Sequence, residues 1–131
     1  MKQYLADYEE VYEYRGIETT LQEEDSFHIT MNETLAVVLF TNLLKNAFVH
    51  NVEGGRIHIV ITSHSVTFRN TAVKEALDTA HIFERFYQGG KKKEGSTGLG
   101  LAIVDSICKI QSLRLRYYYQ AGEHCFEVSN T

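Results

Sequence analysis

Residues 35 to 48 leave the fold little choice. Leu35, Ala36, Val37, Val38, Leu39, Phe40, Leu43, Leu44, Ala47 and Phe48 fall in a stretch that contains neither Gly nor Pro. At 3.6 residues per turn they cover nearly the whole circumference of a helix, and a helix apolar on almost every side has to be buried on most of its faces. Thr30-Met31-Asn32-Glu33 precedes the run and fits a capping box, with Thr30 at the cap and Glu33 three residues on. The expected helix extends from about Met31 to Val49. Asn42, Asn46 and His50 interrupt its apolar surface at i, i+4 and i+8, which puts three polar groups in a line on one side. Asn is a mediocre helix former, and an amide buried without a partner is costly. Either each amide bonds to nearby backbone or water, or the line faces a ligand or metal. Three polar groups in register favour the second reading.

A second constraint is local. Gly95-Ser96-Thr97-Gly98-Leu99-Gly100 places three glycines within six residues, and Leu101-Ala102-Ile103-Val104-Asp105-Ser106-Ile107 follows without Gly or Pro. The pattern predicts a loop turning into a helix from about Gly98 to Gln111. A helix start carries unpaired N–H groups and partial positive charge, and glycines let phosphate oxygens approach that backbone. The same cluster also fits a flexible surface loop before an ordinary helix. Just upstream, Gln88-Gly89-Gly90-Lys91-Lys92-Lys93-Glu94 gathers three lysines in a chain of net charge −4. Beside a candidate anion site they read as a movable lid over phosphates, and otherwise as a solvated loop.

The rest of the pattern is that of a small mixed domain. Within residues 2–15, Leu5, Tyr8, Val11 and Tyr12 share one face at helical spacing, and Gly16 is a natural stop. Strands are expected at 17–21, 27–29, 57–62, 66–69, 113–120 and 124–128, with Ser63-His64-Ser65 and Ala121-Gly122-Glu123 as turns. Leu113, Leu115, Tyr117 and Tyr119 lie on one face. Residues 70–81 have no clean period and read as a loop. Three helices and about five strands are most simply buried as an α+β, two-layer α/β sandwich, one helical layer on one mostly antiparallel sheet. A length of 131 residues indicates one domain, and 44% hydrophobic content is enough for a core. The acidic balance argues against general nucleic-acid binding. The longest apolar run, Leu35 to Phe40, is far short of a membrane span, and Met1-Lys2-Gln3-Tyr4 lacks the apolar core of a signal peptide. Cys108 and Cys125 have no metal-ligand spacing and read as reduced structural thiols of a cytoplasmic domain. His58 and His64 read as surface residues.

Three stretches, in their order and spacing, resemble the motifs of one family. Asn42-Leu43-Leu44-Lys45-Asn46-Ala47 looks like the N box of two-component sensor histidine kinases. Ile82-Phe83-Glu84-Arg85-Phe86-Tyr87 looks like their F box, and Gly95 to Val104 like their second glycine box. The resemblance runs from about residue 15 to the end. It points to the catalytic ATP-binding (HATPase) domain of such a kinase, in the GHKL superfamily that includes gyrase and MutL. It implies that superfamily's α/β sandwich, ATP and Mg²⁺ as cofactors, and transfer of the γ-phosphoryl group to a histidine on a separate dimerisation domain. A response regulator receiver domain would be the downstream partner. By the same resemblance, Asn46 would ligate Mg²⁺, and Asn42 stands where ATP-hydrolysing relatives carry a water-activating glutamate. That change suits a kinase that avoids hydrolysis. Lys45 and His50 lie near the nucleotide in the family pattern. Thr97, Gly98, Leu99, Gly100 and Leu101 fall in the phosphate-binding stretch, with the amides of Gly98 and Gly100 offered to the phosphates. Phe83, Phe86 and Tyr87 would anchor the lid that Gln88, Lys91, Lys92 and Lys93 continue. Arg85 or a lid lysine would neutralise phosphate charge.

Departures from the pattern are specific. The family's first glycine box reads Asp-x-Gly-x-Gly after the second hairpin strand, and its Asp accepts a hydrogen bond from the adenine amino group. Here the stretch is Phe68-Arg69-Asn70-Thr71-Ala72-Val73-Lys74. Asn70 replaces the Asp, Ala72 the first Gly, and the second Gly is absent. An Asn oxygen still accepts, without the charge, at a loss on the order of 1 kcal/mol. Gln88 stands where many relatives have Arg. The family's phospho-acceptor pattern needs a proline, and the chain has none. Residues 1–131 are therefore expected to be one catalytic domain that binds nucleotide but does not phosphorylate itself, makes no membrane contact, and is joined through a helix in residues 1–15 to a dimerisation domain outside the chain. A degenerate, non-catalytic binding module is the alternative that the altered glycine box supports. An anti-sigma serine kinase of the same superfamily is another, opposed by the aromatic box and by Leu99-Gly100-Leu101-Ala102-Ile103.

Overall fold

The computed structural model describes residues 2–11, 13–27, 31–71 and 100–130. The elements are α1 (Lys2–Val11), a 3₁₀ turn at Glu13–Arg15, β1 (Glu18–Glu23), α2 (Glu33–Val49), β2 (Arg56–Ile61), β3 (Ser65–Thr71), α3 (Gly100–Ile110), β4 (Arg114–Gln120) and β5 (Glu123–Ser129). The strands form a single sheet in the order β1-β2-β3-β5-β4. β1 and β2 pair in parallel, and every other pair is antiparallel. The difference follows from connectivity: α2 carries the chain across between β1 and β2, whereas a short turn suffices for β2–β3 and for β4–β5. The α+β arrangement expected from the pattern is the one observed.

Period-2 alternation decides what the sheet buries. Ile57 and Ile59 on β2, Val66 and Phe68 on β3, and Phe126 and Val128 on β5 all join one core with the helices. α2 supplies Leu39, Leu43, Leu44, Ala47 and Phe48, and α3 supplies Val104, Ile107 and Cys108. Burying each such aliphatic or Phe side chain contributes about 1.5–3 kcal/mol. Tyr8 on α1 stacks on Phe48 with ring centroids 6.1 Å apart, and Leu5 is buried beside it. Cys108 and Cys125 are buried free thiols, and burial with Asp105 nearby pushes the Cys108 thiol up to about 11.

Several local expectations are corrected. The cap of α2 is Asn32, not Thr30: its Oδ1 accepts from the N–H groups of Thr34 at 2.8 Å and Leu35 at 3.2 Å. Asn satisfies a capping position as well as Thr does, so composition did not separate the two. The helix expected over residues 2–15 ends at Val11 and gives way to a 3₁₀ turn, with Gly16 at φ +64° as the stop. Phe27 is not in a strand, and 28–29 lie outside the described residues. The hairpin turn between β4 and β5 holds Ala121 at φ +53° and Gly122 at φ +78°, a two-residue turn that matches the strand twist.

The C-terminal end of α2 is held from a distance. Arg15 donates from Nη1 to the carbonyls of Phe48 at 2.6 Å and Val49 at 3.2 Å, and from Nη2 to that of Asn51 at 2.6 Å. A guanidinium there satisfies carbonyls that the helix leaves open and meets the negative end of its dipole. Asn51 is buried and fixes the following turn, donating to Arg56 O at 3.0 Å and accepting from Val52 N at 2.8 Å. A Cβ at Gly55 would overlap Asn51 Oδ1, so the turn admits only glycine there.

Candidate functional site

The three polar residues of α2 do not behave alike. Asn42 donates from Nδ2 to Val38 O, one turn back, at 2.7 Å. Its Oδ1 faces the start of α3, where a Cβ on Gly100 would lie 3.2 Å away. The glycine thus has a packing role in addition to the phosphate role expected for it: it lets α3 begin against α2. Asn46, one turn further, is half-buried and its side chain makes no hydrogen bond among the described residues. Lys45 is exposed. His50 is not in the helix but is its C-cap residue, half-buried, with its N–H donating to Asn46 O at 3.0 Å. Leu101, in the first turn of α3, packs against the core rather than standing open.

Asn70 lies on β3, against which α2 packs. Its side chain is 1% exposed. Nδ2 donates to Thr71 O at 3.3 Å, which orients the amide, and the buried Oδ1 has no partner among the described residues. An orphaned buried acceptor costs about 1–3 kcal/mol, so Oδ1 calls for a donor from outside the described residues. Opposite Asn70 on β5 stands His124, 7% exposed, with Nδ1 2.7 Å from the Tyr117 hydroxyl. Burial holds the imidazole below its ordinary pKa. Reading the sequence picked out Asn70 but missed His124. The alternation His124, Phe126, Val128 was the available signal, because it puts the histidine on the core face.

Among the described residues no three His, Cys, Asp or Glu side chains come together to hold a metal. A metal ligand in this site would have to be an amide oxygen, and the open side chain of Asn46 fits a hard cation that keeps most of its waters. Thr97, Gly98, Leu99, Arg85, Phe83, Phe86, Tyr87, Gln88, Lys91, Lys92, Lys93 and Ala72 lie outside the described residues.

A family model for the histidine kinase-, DNA gyrase B-, and HSP90-like ATPases matches residues 31–129. The chain belongs to that family. Sensor histidine kinase RppB of Synechocystis is 42% identical over 84 residues, 58% of this chain and 18% of RppB. Heme sensor protein HssS of Staphylococcus saprophyticus is 30% identical over 95 residues, 69% of this chain and 20% of HssS. The chain thus spans about a fifth of the length of these relatives. The catalytic domain of histidine kinase ThkA superposes with a TM-score of 0.79 over 99% of this chain and 90% of its own, at 20% identity, and so shares the fold. Full-length ShkA, solved in complex with AMPPNP, superposes with a TM-score of 0.69 over 99% of this chain and 29% of its own, at 22% identity. This is a histidine-kinase-type ATPase domain of the GHKL superfamily. No helix among the described residues is long and apolar enough to cross a membrane.

Proposed function

We propose that this domain binds Mg·ATP between α2, α3 and the Asn70 end of the sheet. In the full-length kinase it would present the γ-phosphoryl group to a histidine on a dimerisation domain. The observation that carries the reading is the buried Oδ1 of Asn70, without a partner among the described residues, an acceptor where the family places its adenine contact. Asn46 holds the Mg²⁺ through its amide oxygen, and the ion supplies charge neutralisation at the phosphates. Asn42, already bonded to Val38 O and packed on Gly100, is a spacer between helices and has no basic group to activate water. Residues of the second glycine box, Thr97 to Leu101, line the phosphates, and Lys45 and His50 flank them. Arg85 and the lid residues Phe83, Phe86, Tyr87, Gln88, Lys91, Lys92 and Lys93 close over the nucleotide. The helix α1 leads from the dimerisation domain, the kinase works in the cytoplasm, and a response regulator receives the phosphoryl group.

Calorimetric titration of the chain with a non-hydrolysable ATP analogue, with and without Mg²⁺, tests the reading. Saturable binding that strengthens with Mg²⁺, and loses that dependence in Asn46→Ala, is expected. Label from γ-labelled ATP should not appear on the isolated chain. A folded sample that binds no analogue at millimolar concentration overturns the proposal in favour of a non-catalytic module, the reading that Asn70 in place of Asp supports.

A further inference from the structure

The antiparallel register sets Asn70 directly opposite His124. Opposed residues of such a pair keep their Cβ atoms about 4.5–5.5 Å apart on one face, so the two polar side chains stand side by side. The face is the helix-covered one, since Phe68 and Phe126, two positions along, are in the core. Asn70 brings an acceptor, Oδ1, that no group among the described residues satisfies. His124 brings a ring whose Nδ1 is engaged by Tyr117, and its Nε2 makes no hydrogen bond among the described residues. Burial keeps that ring neutral, so one nitrogen alone carries the proton. A phenol hydroxyl is a good donor and a neutral imidazole nitrogen a good acceptor. With the Tyr117 O–H donating to Nδ1, the proton sits on Nε2. The sheet then carries an acceptor and a donor next to each other, the acceptor fully buried and the histidine 7% exposed.

Resting on the nucleotide reading above, we propose that His124 is a second base-contacting residue, which with Asn70 reads the Watson–Crick edge of adenine. Oδ1 of Asn70 accepts from the 6-amino group, and Nε2–H of His124 donates to ring nitrogen 1 of the base. Tyr117 is a positioning residue that selects the tautomer. The donor on His124 supplies a contact that offsets the charge missing from Asn70. Guanine presents an acceptor at position 6 and a donor at ring nitrogen 1, the reverse of adenine, so adenine analogues that change one edge atom at a time are the decisive probes.

The experiment is competitive binding of Mg·ATP, 1-deaza-ATP, 7-deaza-ATP and purine riboside triphosphate to the whole chain. The wild type should bind 1-deaza-ATP and purine riboside triphosphate about five- to tenfold more weakly than ATP, and 7-deaza-ATP as well as ATP. His124→Phe should lose the discrimination against 1-deaza-ATP alone and keep that against purine riboside triphosphate. Nitrogen-15 spectra of the wild-type imidazole should show the Nε2–H tautomer, and Tyr117→Phe should shift it. These two wild-type measurements hold even where a variant fails to fold. A wild type that binds ATP and 1-deaza-ATP equally, or an imidazole protonated on Nδ1, overturns the proposal and leaves nucleotide binding intact. A wild type that binds none of the four overturns both.

Discussion

Two adjacent rows of the sheet are both buried where they cross the central strands β3 and β5, yet they are built of different chemistry. One crosses Ile59, Phe68, Phe126 and Tyr117; the next, two residues along each strand, crosses Ile57, Asn70, His124 and Tyr119. Phe68 and Phe126 are 1% exposed, and so is Asn70. The first row is an ordinary dry core, with Tyr117 and Phe126 rings 5.0 Å apart. The second hides an acceptor with no partner among the described residues and a histidine that burial holds below its ordinary pKa. Burial on its own therefore does not distinguish packing from function in this sheet. The unsatisfied polar atom does, because stability would be better served by an apolar residue in that place.

Breaking the dry row should cost most. Phe126→Ala removes a fully buried ring and should destabilise the fold by about 3–5 kcal/mol in urea denaturation. The polar row should respond in the opposite sense. Asn70→Leu, of similar size, removes the orphaned acceptor and should stabilise the fold by about 1 kcal/mol while weakening nucleotide binding about tenfold or more. A variant that loses both stability and binding would make Asn70 a structural residue and erase the contrast. A control outside both rows is the helix cap: Asn32→Ala should cost about 1 kcal/mol and leave the affinity for nucleotide unchanged.

The smallest effect sharpens the contrast through pH. His124 is held neutral by burial, with its folded pKa below the unfolded value of about 6.5. Above that value both states are neutral and no penalty is felt. As pH falls below it, the unfolded chain takes up a proton that the folded chain refuses, and stability declines until the folded pKa is reached. Thermal melts between pH 7.5 and 5 should show this loss in the wild type and a shallower one in His124→Phe. Equal slopes would place His124 in contact with water.

Much of the architecture was legible because it is local. Apolar patterning together with capping, glycine and turn residues located α2, α3, the β2–β3 hairpin and the β4–β5 hairpin to within a few residues, and the order of the three boxes pointed to the family. Within the site, the Asn42, Asn46, His50 line was legible as a line but not in its parts. The sequence has no way to say that Asn42 turns back to Val38 O and Asn46 does not, since both choices are open to any helical Asn. The cap at Asn32 was missed because Thr30 met the same composition rule.

What local chemistry determined, then, is which segments are helices and strands, which faces are apolar, and where the motifs fall. Tertiary structure alone decided three things. Arg15 caps a helix that ends more than thirty residues later. β1 joins the sheet in parallel. Asn70 and His124, 54 residues apart in the chain, become neighbours. Each depends on strand register and helix packing, which bring together residues that no window of sequence contains. A shift of one residue in the β3–β5 pairing would turn the outer face of one strand toward the helices and dissolve the pair.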